Sequence, residues 1–303
     1  MKIGVIGLGD IAAKAYLPVL SAIQGVEIHL LSRDQEKVRS IAKQYRFSGI
    51  HTSISSLIAA TPDAVFIHAA TVAHIDLATP LIEAGIAVFV DKPISLHYDE
   101  SALLVSLAKE KNTLLMVGFN RRYAPVYQQA KELANPTMII MQKNRRNLPG
   151  SVRSFILDDF IHVIDTLLWL FPFPVTNQNV SFIAEKGMLN QVTVQLIAAG
   201  GQTAIGIMNR NTSVNEERLE IMSPEQKCLI ENVTTLRIET KNSSNIYRMN
   251  DWEPTLYRRG FAPMIEDFIR AVSEKTTPVI LIDDALFTHK ICEDIISAIG
   301  HDE

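Results

Sequence analysis

On the stretch SFILDDFIHVIDTLLWLF, Asp158, His162 and Asp165 recur at intervals of four and three, spacings that gather side chains toward one helix face. An imidazole flanked by carboxylates titrates near neutrality and can accept or donate a proton there. In isolation the same stripe more often marks a polar helix face at a domain boundary. A second candidate is Lys92, which stands with Asp91 and Pro93 where the apolar run IAVFV ends. Strands that surface into plain solvent more commonly end in Gly, Asn or Ser, so acid, lysine and proline in succession leave open why a lysine is fixed by a proline at the mouth of a strand. No second His or Cys stands at a metal-ligand spacing from His162, and no metal is expected.

The turn Gly7, Leu8, Gly9, Asp10, Ile11, Ala12 follows the apolar run KIGVI and precedes a helical stretch. This is a GxGxxA pattern in its proper context: the first glycine allows a tight turn, the second lets a pyrophosphate reach the backbone, and the alanine keeps the helix close to the sheet. The free amides and dipole of the helix N-terminus favour the anion. Gly7, Gly9, Asp10, Ile11 and Ala12 are therefore predicted to contact a dinucleotide. About twenty residues further on, where Asp or Glu would hold the ribose 2′-hydroxyl of NAD, stand Ser32 and Arg33. A guanidinium beside a small hydroxyl suits a 2′-phosphate, so NADP is expected, with NAD as the alternative. Asp34 reads equally well as the N-cap of the helix QEKVRSIAKQ.

These residues need a scaffold, and the pattern of the chain supplies one. KIGVIG, VEIHLL, AVFIHA, IAVFV and TLLMVGF are short apolar runs that alternate with the amphipathic stretches YLPVLSAI, QEKVRSIAKQY, HIDLATPLIEAG and YDESALLVSLAKEKN. Strands apolar on both faces, separated by helices, predict an α/β fold, a doubly wound parallel sheet of the Rossmann type, over residues 1–119. Beyond it the rhythm changes. The helix PVYQQAKELA, the strand TMIIMQKN, the loop RRNLPGSVRS and the helix bearing His162 are followed by alternating runs from Asn179 to Thr240: NVSFIAEK, QVTVQLIAA, QTAIGIMN, RLEIMS, KCLIEN and TLRIET. They predict a second, α+β domain over 120–303 built on a large, mainly antiparallel sheet. Two helices, APMIEDFIRAVSE and DDALFTHKICEDIISAI, close the chain, either within that domain or packed back on the first.

The 303 residues suit two domains, and 47% hydrophobic with 20% charged residues is the composition of a globular protein. A net charge of -4 offers no footprint for nucleic acid or an anionic membrane, which leaves a small molecule as the expected partner. No run reaches the length of a membrane span. The N-terminal MKIGVIGLGDIAAKAYLPVL is not read as a signal peptide, because Asp10, Lys14 and three glycines interrupt it. Cys228 and Cys292 form neither a disulfide framework nor a CxxC pair, in keeping with a reducing, cytoplasmic setting.

Together GxGxxA, Asp91-Lys92-Pro93, GFNRRY at 118–123 and the DxxxHxxD of 158–165 resemble the Gfo/Idh/MocA oxidoreductases, in particular their bacterial MviM-type branch. VFIHAAT, VDKPIS, MVGFNRRYAPVY, LDDFIHVIDTLLWL and RGFAPMIEDF stand in the expected order over nearly the whole chain. The resemblance implies an NAD(P)-dependent oxidoreductase transferring a hydride between nicotinamide and a hydroxyl-bearing carbon, or the matching carbonyl, of a sugar, polyol or derivative. It implies that Lys92 bonds the reacting oxygen from beside a cis peptide to Pro93, that His162 exchanges the hydroxyl proton, and that Asp158 orients or tunes His162. Cofactor contacts are implied at Ala70, Thr71 and His74, a loose match to AxNxxH, and at Asp91 and Lys92. Substrate contacts are implied at Asn120, Arg121 and Arg122.

By itself His74 reads as a structural residue at a helix start. Arg121, Arg122, Arg145, Arg146 and Arg153 could bind a phosphate or carboxylate, but loop arginines are more often solvated. The resemblance further implies that an open face of the second sheet pairs subunits into a homodimer or homotetramer. Two positions depart from the family pattern: Asp91 replaces the usual glutamate, and Phe160 a usual glycine, which puts the common polyol and sugar substrates in doubt. A non-catalytic dinucleotide-binding sensor is the alternative function, and it would have no need of Lys92, Asp158 and His162 together.

Overall fold

The computed structural model of the chain describes residues 1–133 and 135–300; Ala134, the last residue of the expected helix PVYQQAKELA, and residues 301–303 lie outside the described residues. The chain divides into two compact units, one of residues 1–119 with 261–286, the other of 120–260 with 287–303.

The first unit holds strands β1 (Lys2–Ile6), β2 (Glu27–Leu31), β3 (Gly49–His51), β4 (Ala64–Ile67), β5 (Ala87–Val90) and β6 (Leu115–Val117). They form one parallel sheet in the order β3-β2-β1-β4-β5-β6. Every residue of β4 and β5 is buried, as the unbroken apolar runs require of strands covered on both faces. The order runs outward in both directions from the β1–β4 pair, which makes the C-terminal ends of those two strands the switch point where parallel sheets bind ligands. Helices Gln35–Tyr45, His74–Glu83 and Tyr98–Glu110 lie where the amphipathic spacing predicts them. Asp34 caps the first of these by accepting the Lys37 N–H at 3.0 Å. Phe268 packs edge to face on both Phe66 and Phe89, so the helix Phe261–Glu274 contributes to this core.

The second unit carries an eight-stranded sheet: β7 (Met138–Asn144), β8 (Val175–Glu185), β9 (Met188–Ala198), β10 (Thr203–Asn209), β11 (Glu216–Met222), β12 (Gln226–Glu231), β13 (Thr235–Thr240) and β14 (Ser244–Arg248). Its order is β14-β13-β12-β11-β7-β10-β9-β8, antiparallel except where β10 meets β7. Alternate residues are buried, as in β9, where Leu189, Val192, Val194, Leu196 and Ala198 point inward. The helix Ile161–Leu170 rests on Gly206 of β10: a Cβ there would stand 3.0 Å from Val163 and 3.1 Å from Leu167. A glycine at this point therefore lets the His162 helix approach the sheet closely.

The segment predicted as one uniform helix around His162 is composite. A short α turn, Val152–Ser154, leads into a π-helical stretch, Phe155–Phe160, and only then into the α-helix. The wider turn lies directly before His162, and such π turns inside helices concentrate at functional sites.

Candidate active site

At the switch point of the first unit a cleft of about 560 Å³ is lined by Gly7, Gly9, Ser32, Arg33 and Ala70 from among the expected residues. Gly7 has φ +87°, and a Cβ on it would stand 2.4 Å from the Ala69 nitrogen, so only glycine fits. A Cβ built on Gly9 would meet nothing within 4 Å; its backbone faces open space, as the approach of a pyrophosphate demands. These two glycines and the rim of Ser32 and Arg33 fit a nicotinamide dinucleotide.

Ala12 is buried beneath the turn, whereas Asp10 and Ile11 are exposed, Asp10 pairing with Lys14 at 2.8 Å. Thr71, His74, Asp91 and Lys92 do not line this cleft. A larger cavity of the same unit, about 620 Å³, lies by Asp63, Ala87 and Leu115 at the opposite, N-terminal ends of the strands and carries none of the motifs.

The Lys92 loop is built by hydrogen bonds from neighbouring segments. The Lys92–Pro93 peptide is cis. Asp91 accepts the Lys92 N–H at 2.9 Å, and His74, buried at the start of its helix, lies between the carbonyl oxygens of Pro93 at 2.9 Å and Ala69 at 3.0 Å. Burial pushes the Asp91 carboxyl up to about 6, against the opposing pull of Lys92 and its amide. His68, which also lines the cleft, is driven down to about 3 by burial and by its neighbour His74, and is therefore neutral. Its Nδ1 stands 4.0 Å from Asp91 Oδ2.

In the second unit the three spaced residues part company. Asp158 is exposed and accepts from Ser154 Oγ at 2.7 Å; His162 is half-buried; Asp165 is 1% exposed. Asp165 takes the Arg122 guanidinium at 2.8 Å through Nη2 and at 3.1 Å through Nε, and accepts from Thr288 Oγ1 at 3.3 Å. The stripe thus runs from surface to core, with Asp165 as a structural anchor.

The view of loop arginines as solvated fails for two of the five, since Arg121 and Arg122 are only 4% and 1% exposed. Arg121 pairs with both Glu217 oxygens at 2.7 Å. The two arginines follow directly on β6 and its GF turn, and each is buried against a carboxylate remote in sequence. Asn120 donates through Nδ2 to the Arg259 carbonyl at 2.7 Å. Arg153 pairs with Glu293 at 3.0 Å.

Several site residues carried no recognisable signal. Thr52 and Ser53 line the cleft because they follow β3, a three-residue strand too short to display a period. A second polar cluster gathers on Asp159: Lys143, Arg145 at 3.3 Å and Arg210 at 3.1 Å converge on its carboxylate. Of these residues only Arg145 was itself named as a candidate from the sequence. Although burial pushes Asp159 up, Lys143 and Arg145 outweigh it and hold the carboxyl well below the usual range. Burial, reinforced by Arg121, brings Lys143 down to about 7. Among the described residues no group of three or more His, Cys, Asp or Glu side chains is arranged to hold a metal ion, and no helix is long and apolar enough to cross a membrane.

Comparison with known proteins agrees with this architecture. Residues 1–119 match the Gfo/Idh/MocA oxidoreductase family, NAD-binding Rossmann fold, and residues 125–241 match the YceM-like C-terminal domain. The chain is 31% identical over 298 residues to YceM of Salmonella typhimurium, covering 97% of this chain and 96% of that one. It superposes on a dehydrogenase, MviM, of Clostridium difficile with a TM-score of 0.92 and 30% identity, covering 98% of this chain and 99% of the other. It is also 26% identical over 286 residues to a UDP-N-acetylglucosamine 3-dehydrogenase of Acidithiobacillus ferrooxidans, covering 90% and 89% of the two chains. With the glycine turn, the cis Lys92–Pro93 peptide and the helix of Asp158 and His162 all in place, the chain belongs to the Gfo/Idh/MocA family of oxidoreductases.

Proposed function

We propose that this oxidoreductase acts on a secondary hydroxyl, or the matching carbonyl, of a sugar, polyol or derivative, with Lys92, Asp158 and His162 as its catalytic residues. The observation that carries the proposal is the Lys92 loop, which follows β5 beside β4, the strand whose succeeding residues His68, Ala69 and Ala70 line the dinucleotide cleft, and which is framed by Asp91 and His74. Inositol and sugar dehydrogenases among the relatives support the substrate class. A bound nicotinamide supplies the two-electron acceptor or donor at the reacting carbon.

The remaining work falls to the chain. Gly7, Gly9 and the turn through Ala12 receive the pyrophosphate, while Ala70, Thr71, His74 and Asp91 shape the nicotinamide side. The Lys92 ammonium donates to the reacting oxygen and stabilises the charge that develops there. His162 takes the hydroxyl proton in oxidation and returns it in reduction, and Asp158 tunes it. Asn120, Arg121 and Arg122 frame the substrate side, the two arginines from within their buried pairs with Glu217 and Asp165 rather than by direct contact. Ser32 and Arg33, at the rim, favour NADP over NAD. The open sheet face of the second unit pairs copies into a homodimer or homotetramer, and light scattering that finds only monomer at micromolar concentration contradicts that assembly.

The test is incubation with neutral polyols, sugars and sugar acids under both dinucleotides while nicotinamide absorbance is followed. Turnover with at least one class supports the proposal. Tight dinucleotide binding without turnover of any class favours a sensor instead.

A further inference from the structure

The polar face of the second unit holds more positive charge than its own carboxylates answer. Lys143 and Arg210, 2% and 7% exposed in their side chains, share the single carboxylate of Asp159 with Arg145. The Nε of buried Arg210 has no partner among the described residues. Arg121 does not relieve the excess, because its charge is matched by Glu217. Lys143, brought down to about 7 by burial, answers part of this imbalance by giving up its proton, but Arg210 keeps its charge, and a buried cation short of a counterion is costly unless an anion joins it.

Arg145 connects this cluster to open space. Its side chain, 28% exposed, lines a cavity of about 140 Å³ together with Arg259, Asn215 and Asn232. The two asparagine side chains have their oxygens committed to backbone amides, Asn215 Oδ1 accepting from Arg146 N and Asn232 Oδ1 from Glu217 N, which leaves their NH₂ groups as the atoms that can donate to a ligand. Two acids share the wall. Glu217 accepts from Arg121 through both oxygens and from Tyr127, and Glu216 accepts from Asn144 through Oε1.

We propose that this cavity holds an acidic substituent of the substrate, a carboxylate or a phosphate, between Arg145 and Arg259, with the Asn215 and Asn232 amides as further donors and Arg210, joined to Arg145 through Asp159, as the charge behind them. In the oxidoreductase reading on which it rests, this gives the substrate class: an acidic or phosphorylated polyol or sugar rather than a neutral one. A planar fork of guanidinium donors suits either oxyanion.

The experiment measures thermal shifts of the dinucleotide-loaded protein with D-gluconate, D-glucuronate, glucose 6-phosphate and myo-inositol at ionic strength matched with chloride, for wild type and Arg145→Gln. The acidic probes are expected to raise the melting temperature where myo-inositol does not, and Arg145→Gln to weaken their binding at least about tenfold while dinucleotide affinity stays the same. Gluconate and glucuronate against glucose 6-phosphate tell carboxylate from phosphate. Equal shifts by all four probes, or equal shifts in wild type and variant, overturn the proposal. If an acidic probe binds through Arg145 but neither it nor any class of the wider screen is turned over, the anion site stands and the substrate reading of the proposed function fails. If neutral substrates turn over while the acidic probes shift neither wild type nor Arg145→Gln, the oxidoreductase reading stands and the anion site fails.

Discussion

His74 Nδ1 lies 2.9 Å from the carbonyl oxygen of Pro93 and its Nε2 lies 3.0 Å from that of Ala69, so one buried imidazole ties the loop of Lys92 to the loop that closes the dinucleotide cleft. Burial holds this ring below its ordinary pKa, and as a neutral ring it donates to one carbonyl at a time. His74→Ala removes the ring between the two loops and the one hydrogen bond it donates. The expected result is a loss of about 1–3 kcal/mol of stability and a fall in turnover larger than the fall in dinucleotide affinity. A melting temperature that drops with turnover unchanged would reduce His74 to a purely structural part.

Arg33 is exposed at the rim of the cleft, beside Ser32. If it grips a 2′-phosphate, Arg33→Ala weakens NADP binding about 10- to 100-fold, the worth of one charge-assisted contact, and leaves NAD binding near its original value. Titrations with both dinucleotides check this. Tighter NAD than NADP binding by the wild type contradicts the assignment while leaving the glycine turn untouched.

Asp91 gives a pH dependence whose sign is fixed. Its carboxyl is raised by burial from 3.8 to about 6, so the folded chain binds the proton more tightly than the unfolded one. The stability this contributes is complete below the unfolded value and lost as pH rises through about 6, and above that the ionised group costs up to about 3 kcal/mol relative to the neutral one. Asp91→Asn, measured without dinucleotide, should raise the melting temperature at about pH 8 and change it little at about pH 4. The reverse order would mean that Lys92 outweighs burial.

Glu217 behaves oppositely. Burial pushes it up, but Arg121 overrides this and holds it at about 2, below the ordinary 4.5. Its contribution is therefore present above the unfolded value and lost as pH falls through about 2. Glu217→Gln leaves the Arg121 guanidinium buried without its counterion and should cost about 3–5 kcal/mol at neutral pH, read by denaturant unfolding. A loss under about 1 kcal/mol would place the pair in solvent, where such bridges are weak.

What could be read from the sequence follows from the range of the forces involved. The β1 turn, the alternation of buried runs with amphipathic helices and the Asp34 cap are local, so spacing alone announces them. β3 has three residues and β14, Ser244–Arg248, is exposed throughout; neither buries enough to leave a periodic mark. The fates of Arg121, Arg122 and Asp165 were hidden for a different reason. Their partners, Glu217, Asp165 and Thr288, stand far away in the chain, and only the folded second unit brings them together. The gathering of Lys143, Arg145 and Arg210 on Asp159 is of the same kind, built from the ends of β7 and β10 and the π turn.

The central claim is that His162 moves the proton of the reacting hydroxyl while Lys92 holds its oxygen. The most direct measurement is single-turnover kinetics of wild type and His162→Ala on a substrate found by the screen, paired with dinucleotide titration of both proteins. The account predicts that His162→Ala slows the chemical step about 100-fold or more with dinucleotide affinity near normal. It also predicts that adding Lys92→Ala costs less than the two single losses combined, because both residues act on one oxygen. A His162→Ala protein that turns over at the wild-type rate would contradict it.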